Sequence, residues 1–277
     1  MKIAICISGH IRNMIVLPII EKLESLGINY DIYISSWNTT GKWLEPTHLP
    51  YDEKIDKNQA RLGIYEHDRS EIDTNLFTNI KNIYKYEVED DTNLLDEIIN
   101  LSLEYKDIIE PGHFDMDREE QRKYQIFSMF RKCQKSIELI DNPLEYDLIL
   151  RTRFDSIYNL DRVIFNINKI INENLILIPS NFEFGGENAQ GGARVCDSFA
   201  LGTPKNMLLY SKTYDFLKNK STIQLLKDKN IWFCPHSLLK QHLVMNNLNY
   251  FKDDLSYNII RENNREITNF QSIWNKK

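Results

Sequence analysis

Lys2-Ile3-Ala4-Ile5-Cys6-Ile7 is a short apolar run, and Tyr30-Asp31-Ile32-Tyr33-Ile34-Ser35-Ser36 is a second one. Between them Ser8-Gly9-His10 breaks the first run. Leu17, Ile20, Leu23 and Leu26 then recur at helical spacing up to Gly27, a helix stop. Apolar runs of this length suit strands buried on both faces, as in a parallel sheet. Two such strands joined by one helix form a βαβ unit. The expected fold class is therefore α/β, with a central, mostly parallel sheet flanked by helices.

Working outward, residues 38–118 are more polar. Ile80 to Val88 reads as a strand, Leu94, Leu95, Ile98 and Ile99 suit a helix, and Glu110-Pro111-Gly112 is a loop. The stretch is expected to be an insertion or lid within a single domain spanning 1–277. Ile126, Met129, Phe130, Cys133, Ile137 and Ile140 form an apolar helical stripe that ends at Asn142-Pro143. Its opposite face carries Tyr124, Gln125, Ser128, Arg131, Lys132 and Lys135. Strands are expected at Tyr146–Asp155, 175–179 and Val195–Leu201. Helices are expected to open at Thr203-Pro204, with Thr203 as cap, and at Cys234-Pro235-His236.

The composition narrows the function classes. A chain of 277 residues with 42% apolar side chains can bury a substantial core, and 11% aromatic residues speak against disorder. A net charge of −6 and a pI near 5.6 argue against a general nucleic-acid binder. No run approaches the length of an apolar membrane span, and the first apolar run is too short for a signal sequence. Cys6, Cys133, Cys196 and Cys234 are widely spaced in apolar settings, which suits reduced core thiols in a cytoplasmic protein. The tail Trp274-Asn275-Lys276-Lys277 is the one segment suited to peripheral contact with a membrane on its cytoplasmic face.

Four segments carry candidate chemistry. The first is Tyr146-Asp-Leu-Ile-Leu-Arg-Thr-Arg-Phe-Asp155. Strand alternation puts Arg151, Arg153 and Asp155 on one side, with Leu148, Leu150, Thr152 and Phe154 on the other. Ligands of open α/β sheets collect at strand carboxyl ends, where these three charges fall. Asp155 there can hold a divalent cation, and the arginines can neutralise a diphosphate or brace the carboxylate. The alternative is a purely structural Arg–Asp network. The second segment is Ser8-Gly9-His10-Ile11-Arg12-Asn13, where glycine allows close approach and a helix start offers N–H groups to an anion. It lacks the further glycines of a dinucleotide fingerprint and the Gly-Lys of a P-loop. The third is the glycine-rich stretch Gly185–Arg194, containing Glu187 and leading to Asp197, which suits a loop that closes over a substrate. The fourth is Pro235-His236-Ser237; His236 and His242 are six apart, the wrong spacing for a two-histidine helical metal site.

Taken in order, these segments resemble nucleotide-sugar glycosyltransferases of the A-type (GT-A) fold, of the bacterial or viral lipopolysaccharide, O-antigen and capsule kind. The resemblance covers about two thirds of the chain and rests most on Tyr146–Asp155, with Asp197-Ser-Phe-Ala-Leu-Gly202 and Pro235-His-Ser-Leu-Leu239 following in order. It implies an enzyme moving a sugar from a nucleotide-diphosphate donor to a glycan or lipid-linked glycan acceptor in surface polysaccharide synthesis. It also implies that Ser8, Gly9, Arg12, Arg131, Lys132, Arg151 and Arg153 bind the nucleotide sugar, and that Asp155 and His236 hold Mn²⁺ or Mg²⁺. Asp197 and Glu187 become the candidate catalytic carboxylates. Such families usually carry Asp-x-Asp at this strand end; Arg153 stands at the first of those positions, so Asp155 alone matches. The competing expectations are a catalytically inactive carbohydrate- or nucleotide-binding protein of the same fold, and another nucleotide-dependent transferase.

Overall fold

The computed structural model describes residues 1–11, 17–38, 72, 74–78, 80–90, 97, 100, 101, 104, 105, 116–180, 194–256 and 258–259. Strand β1 (Lys2–Gly9) is buried from Ile3 to Ser8, so both of its faces are covered. It is joined by α1 (Leu17–Ser25) to β2 (Asn29–Trp37), and the two strands pair in parallel from Lys2↔Asn29 to Gly9↔Ser36. The expected βαβ unit is thus the seed of the sheet.

The sheet grows from that unit in both directions. On the far side of β2, after α2 (Asn75–Thr78), lies β3 (Ile83–Glu89), in parallel. On the other side of β1 lies β4 (Leu148–Thr152), also parallel, reached after the long helix α3 (Met116–Glu138). Then come β5 (Ser156–Ile157), α4 (Leu160–Phe165), α5 (Ile167–Glu173), β6 (Ile176–Pro179) and β7 (Ala200–Gly202). Helices α6 (Pro204–Ser211), α7 (Thr213–Lys218), α8 (Lys220–Asp228) and α9 (Pro235–Met245) lead to β8 (Tyr250–Asp253) and β9 (Asn258–Ile259). The seven-stranded sheet has the order β3-β2-β1-β4-β7-β6-β8, and β5 pairs separately with β9. β7 runs antiparallel to both β4 and β6, while β8 is parallel to β6. All strands of the large sheet but β7 therefore point the same way, and the fold class is the one expected. One apolar core runs from Ile3 through Ile137, Leu201 and Leu238 to Leu255.

Three sequence expectations are corrected. The strand expected to reach Asp155 ends at Thr152, because the chain turns at Phe154-Asp155. The strand expected at Val195 begins only at Ala200. The polar face expected on α3 is partly enclosed: Ser128 and Lys132 are buried, and Arg131 and Lys135 are half-buried. That follows from the position of α3, which packs on β1 and β2 and also on α6 and α7. Helices α4, α5, α7 and α8 and the half-buried edge strand β8 escaped the sequence reading, since none shows a long periodic apolar pattern.

Candidate functional site at the carboxyl edge of the sheet

Parallel register brings the carboxyl ends of β1, β2 and β4 to one edge: Ser8 faces Ser35, and Ile7 faces Thr152. β7 enters this edge from the opposite direction. Its Ala200 lies opposite Arg151, so the preceding residues, Asp197 among them, run over the end of β4. Two segments far apart in sequence are thereby laid side by side.

The three charges of the β4 end separate into two roles. Arg151 is 1% exposed, and its Nη1 donates to the main-chain carbonyl of Asp197. It lies in the row of Cys6 and Tyr33, the sheet face on which α3 packs, close to Cys133 and Tyr210. Its enclosed guanidinium ties β4 to the approach of β7. Past the strand end, Arg153 and Asp155 pair with each other. Nε of Arg153 donates to Oδ1 of Asp155 at 2.7 Å and Nη2 to Oδ2 at 2.8 Å. The Asp155 side chain is buried, and the Arg153 side chain is 23% exposed.

Asp197 and His236 form the second charged pair. His236 sits in the first turn of α9, and its Nδ1 lies 3.1 Å from Oδ1 of Asp197 and 3.0 Å from the carbonyl oxygen of Val195. Both neighbours accept, so Nδ1 carries a proton and, in the neutral ring, Nε2 holds the lone pair. Burial of Asp197 disfavours its charge, but His236, Arg151 and Arg153 outweigh that and hold the carboxyl well below the usual carboxylate range. Burial pulls His236 down, whereas the charge and hydrogen bond of Asp197 carry it above its ordinary value of 6.5.

On β1, Gly9 has φ +118°, a conformation that favours glycine, and no described residue lies within 4 Å of the place where a Cβ would stand. The buried hydroxyls of Ser8, Ser35 and Thr152 have no hydrogen-bond partner among the described residues, nor does Nε of Arg151. Buried polar atoms are normally paired, so this edge keeps hydrogen-bonding capacity in reserve. Ser35 was missed from the sequence, although a serine pair closing an apolar strand is a signal for it.

Arg131 and Lys132 are engaged by protein. Nη2 of Arg131 lies 2.6 Å from Oε1 of Glu89 and Nζ of Lys132 lies 2.8 Å from Oε2. Lys132 also stands 4.0 Å from the ring centre of Trp37, with its side chain wholly buried. Burial raises Glu89, but hydrogen bonds from Arg131 and Lys132 prevail and bring it down to about 2. Lys132 ends below an ordinary lysine, because complete burial costs more than a carboxylate shared with Arg131 returns. Both cations thus have Glu89 as a partner within the protein, and the Lys132 side chain is wholly buried.

Arg12 and Glu187 lie outside the described residues, as does most of 38–118. Among the described residues no three His, Cys, Asp or Glu side chains group to hold a metal ion. Of the two expected metal ligands, Asp155 has both oxygens on Arg153, and His236 has Nδ1 on Asp197 and Val195. The carboxylate of Asp155 is thus engaged by Arg153, whereas the neutral His236 ring, with Nδ1–H held by Asp197 and Val195, presents Nε2 as its lone-pair nitrogen, the arrangement of a metal-binding histidine. No described helix is long and apolar enough to cross a membrane.

A scan against protein-family models finds no match, and no curated protein matches the sequence. Among solved structures, mouse xyloside xylosyltransferase 1 in its apo form is similar at 12% identity and TM-score 0.41, over 91% of this chain and 84% of that one. A protein assigned as a glucose-1-phosphate thymidylyltransferase from Bacillus anthracis is similar at 10% identity and TM-score 0.39, over 98% and 94%. Likeness at this level establishes neither family nor activity.

Proposed function

We propose that the chain is a glycosyltransferase that moves a sugar from a nucleoside-diphosphate donor to a glycan or lipid-linked glycan acceptor of a surface polysaccharide. One observation carries the reading. At a single sheet edge, a partly exposed arginine, an Asp–His pair and buried hydroxyls without partners among the described residues converge from β1, β2, β4 and the approach to β7. The sequence resemblance to GT-A enzymes names the same segments.

In this reaction the bond from the anomeric carbon to the diphosphate breaks, and its electron pair leaves on the nucleoside diphosphate. The acceptor oxygen bonds to the anomeric carbon and gives up its proton. The nucleotide takes the open turn at Ser8 and Gly9, and Arg153 faces the departing diphosphate. Asp197 is held too far below neutrality to be an effective proton acceptor, so its role is positioning. Nε2 of His236, set as an acceptor by the two contacts at Nδ1, is the group suited to receive the acceptor's proton.

A thermal-shift panel of nucleotide sugars, followed by assay of free nucleoside diphosphate, tests this. We expect one donor to raise the melting temperature and to be hydrolysed slowly without acceptor. Asp155→Ala, which releases Arg153, should lower turnover about a hundredfold while the fold survives. Stabilisation with no hydrolysis or transfer would identify a binding protein instead. Full activity in Asp155→Ala would sink the assignment of this edge.

A further inference from the structure

Arg194 is a cation of this edge that neither the Arg153–Asp155 pair nor the Asp197–His236 pair engages. Its main chain is held: the carbonyl accepts from Nζ of Lys252 on β8, and the next amide, that of Val195, donates to the carbonyl of His236. The half-buried guanidinium stands 5.1 Å from the ring centre of Trp232. Among the described residues no carboxylate pairs with it, and its buried Nε has no hydrogen-bond partner. A buried donor left unpaired is costly, and contact with a ring face uses none of the five N–H donors. Arg194 thus presents an oriented fork whose charge nothing nearby neutralises. That charge works against protonation of His236, so Arg194 lies within electrostatic reach of the Asp197–His236 pair.

Topology decides which substrate this cation meets. In the sheet order, β4 and β7 separate β1, which carries Ser8 and Gly9, from β6 and β8. Lys252, which holds the carbonyl of Arg194, pairs with Ile178 near the carboxyl end of that last ladder. Ser8-Gly9 and Arg194 therefore lie toward opposite ends of the sheet edge, with Asp197 over the end of β4 between them.

We propose that Arg194, held on Trp232, recognises an anionic oxygen group carried by the acceptor, a carboxylate or a phosphate. The proposal rests on the reading of this edge as a glycosyl-transfer site and names the class of acceptor: an acidic one. Charge complementarity selects it. Guanidinium stays charged and meets carboxylate or phosphate oxygens with two parallel N–H bonds, whereas a neutral sugar hydroxyl returns no charge.

Calorimetric titration of the full chain tests it, first with UDP, GDP and CDP, then with matched acceptor analogues in the presence of each nucleotide. The carboxylate arm sets p-nitrophenyl glycosides of glucuronate, galacturonate and N-acetylneuraminate against their neutral counterparts. The phosphate arm sets geranyl phosphate against geraniol. We expect one charged member to bind the unaltered protein about tenfold or more tightly than its neutral counterpart, and the arm it belongs to identifies the group. Arg194→Ala should erase that preference while nucleotide affinity stays within about twofold. Arg194→Lys, which keeps charge but loses the fork, should retain part of it. A panel in which no charged member outbinds its neutral counterpart overturns the acceptor role and leaves the transferase reading intact. So does a nucleotide affinity that falls in Arg194→Ala while the preference stays, which would assign the cation to the donor. Failure of every nucleoside diphosphate to bind the unaltered protein overturns the transferase reading and the proposal with it. If Arg194→Ala does not fold, Arg194→Lys and the matched pairs on the unaltered protein decide.

Discussion

At the scale of the residue, position in the fold separates side chains that look alike in the sequence. Arg151 and Arg153 are two apart, yet one is enclosed and joins β4 to the main chain at Asp197, while the other reaches the edge on a buried carboxylate. Strand alternation identified the cluster but could not see the turn at Phe154-Asp155, which replaces a shared face with a direct Arg153–Asp155 pair. His236 and Asp197 were each legible as candidates, but their contact was not, because 38 intervening residues hide it. That contact has a pH consequence. His236 is raised above 6.5 by Asp197, so its ring stays protonated to higher pH than an ordinary histidine and becomes a proton acceptor only above that raised value. The rate of donor hydrolysis should therefore climb with pH through an inflection above 6.5. Asp197→Asn should move that inflection down, since burial then acts without the compensating charge. A pH–rate profile checks both, and an unmoved inflection would remove His236 from the chemistry.

At the scale of the element, α3 illustrates how a helix acquires a second buried face. Its apolar stripe is plain in the sequence, yet Lys132 on the supposed polar side is fully buried against Glu89 at the end of β3 and Trp37 at the end of β2. Periodicity reports one packing surface; a helix between a sheet and other helices needs more than one. The ion cluster Glu89–Arg131–Lys132 fixes the register of α3 on these strand ends. Glu89→Gln should destabilise the protein by about 3–5 kcal/mol in urea unfolding, because it strands a buried ammonium. Lys132→Met in the Glu89→Gln background should recover a large share of the loss. Additive effects would mean that the two charges do not depend on each other. Element boundaries at β4 and β7 were misjudged for a related reason: apolar sequence continues past the point where ladder pairing stops.

At the scale of the whole molecule, the acidic balance of −6 conceals many carboxylates held by cations. Asp31, Glu89, Glu97, Glu138 and Asp197 are all displaced below their ordinary values, against the opposing effect of burial, by lysine, arginine, tyrosine or histidine partners. A carboxyl lowered in the folded state contributes stability that is complete above its unfolded value and lost as it protonates. For Glu89 that window runs from 4.5 down to about 2. Below the range in which His236 titrates, urea midpoints should thus fall steeply from about pH 4.5 downward. A midpoint unchanged down to pH 3 (roughly the middle of that window) would contradict this account. The local content of the chain determined the fold class: apolar runs, a helical period and glycine stops suffice to specify βαβ, because strand and helix patterns are short-range. Candidate residues were legible for the same reason, as charges where an apolar strand should end. Only the tertiary structure decided which charges meet. The antiparallel entry of β7 lays Asp197 over the end of β4, and the turn after Thr152 closes Arg153 onto Asp155, neither of which any spacing within a single segment encodes.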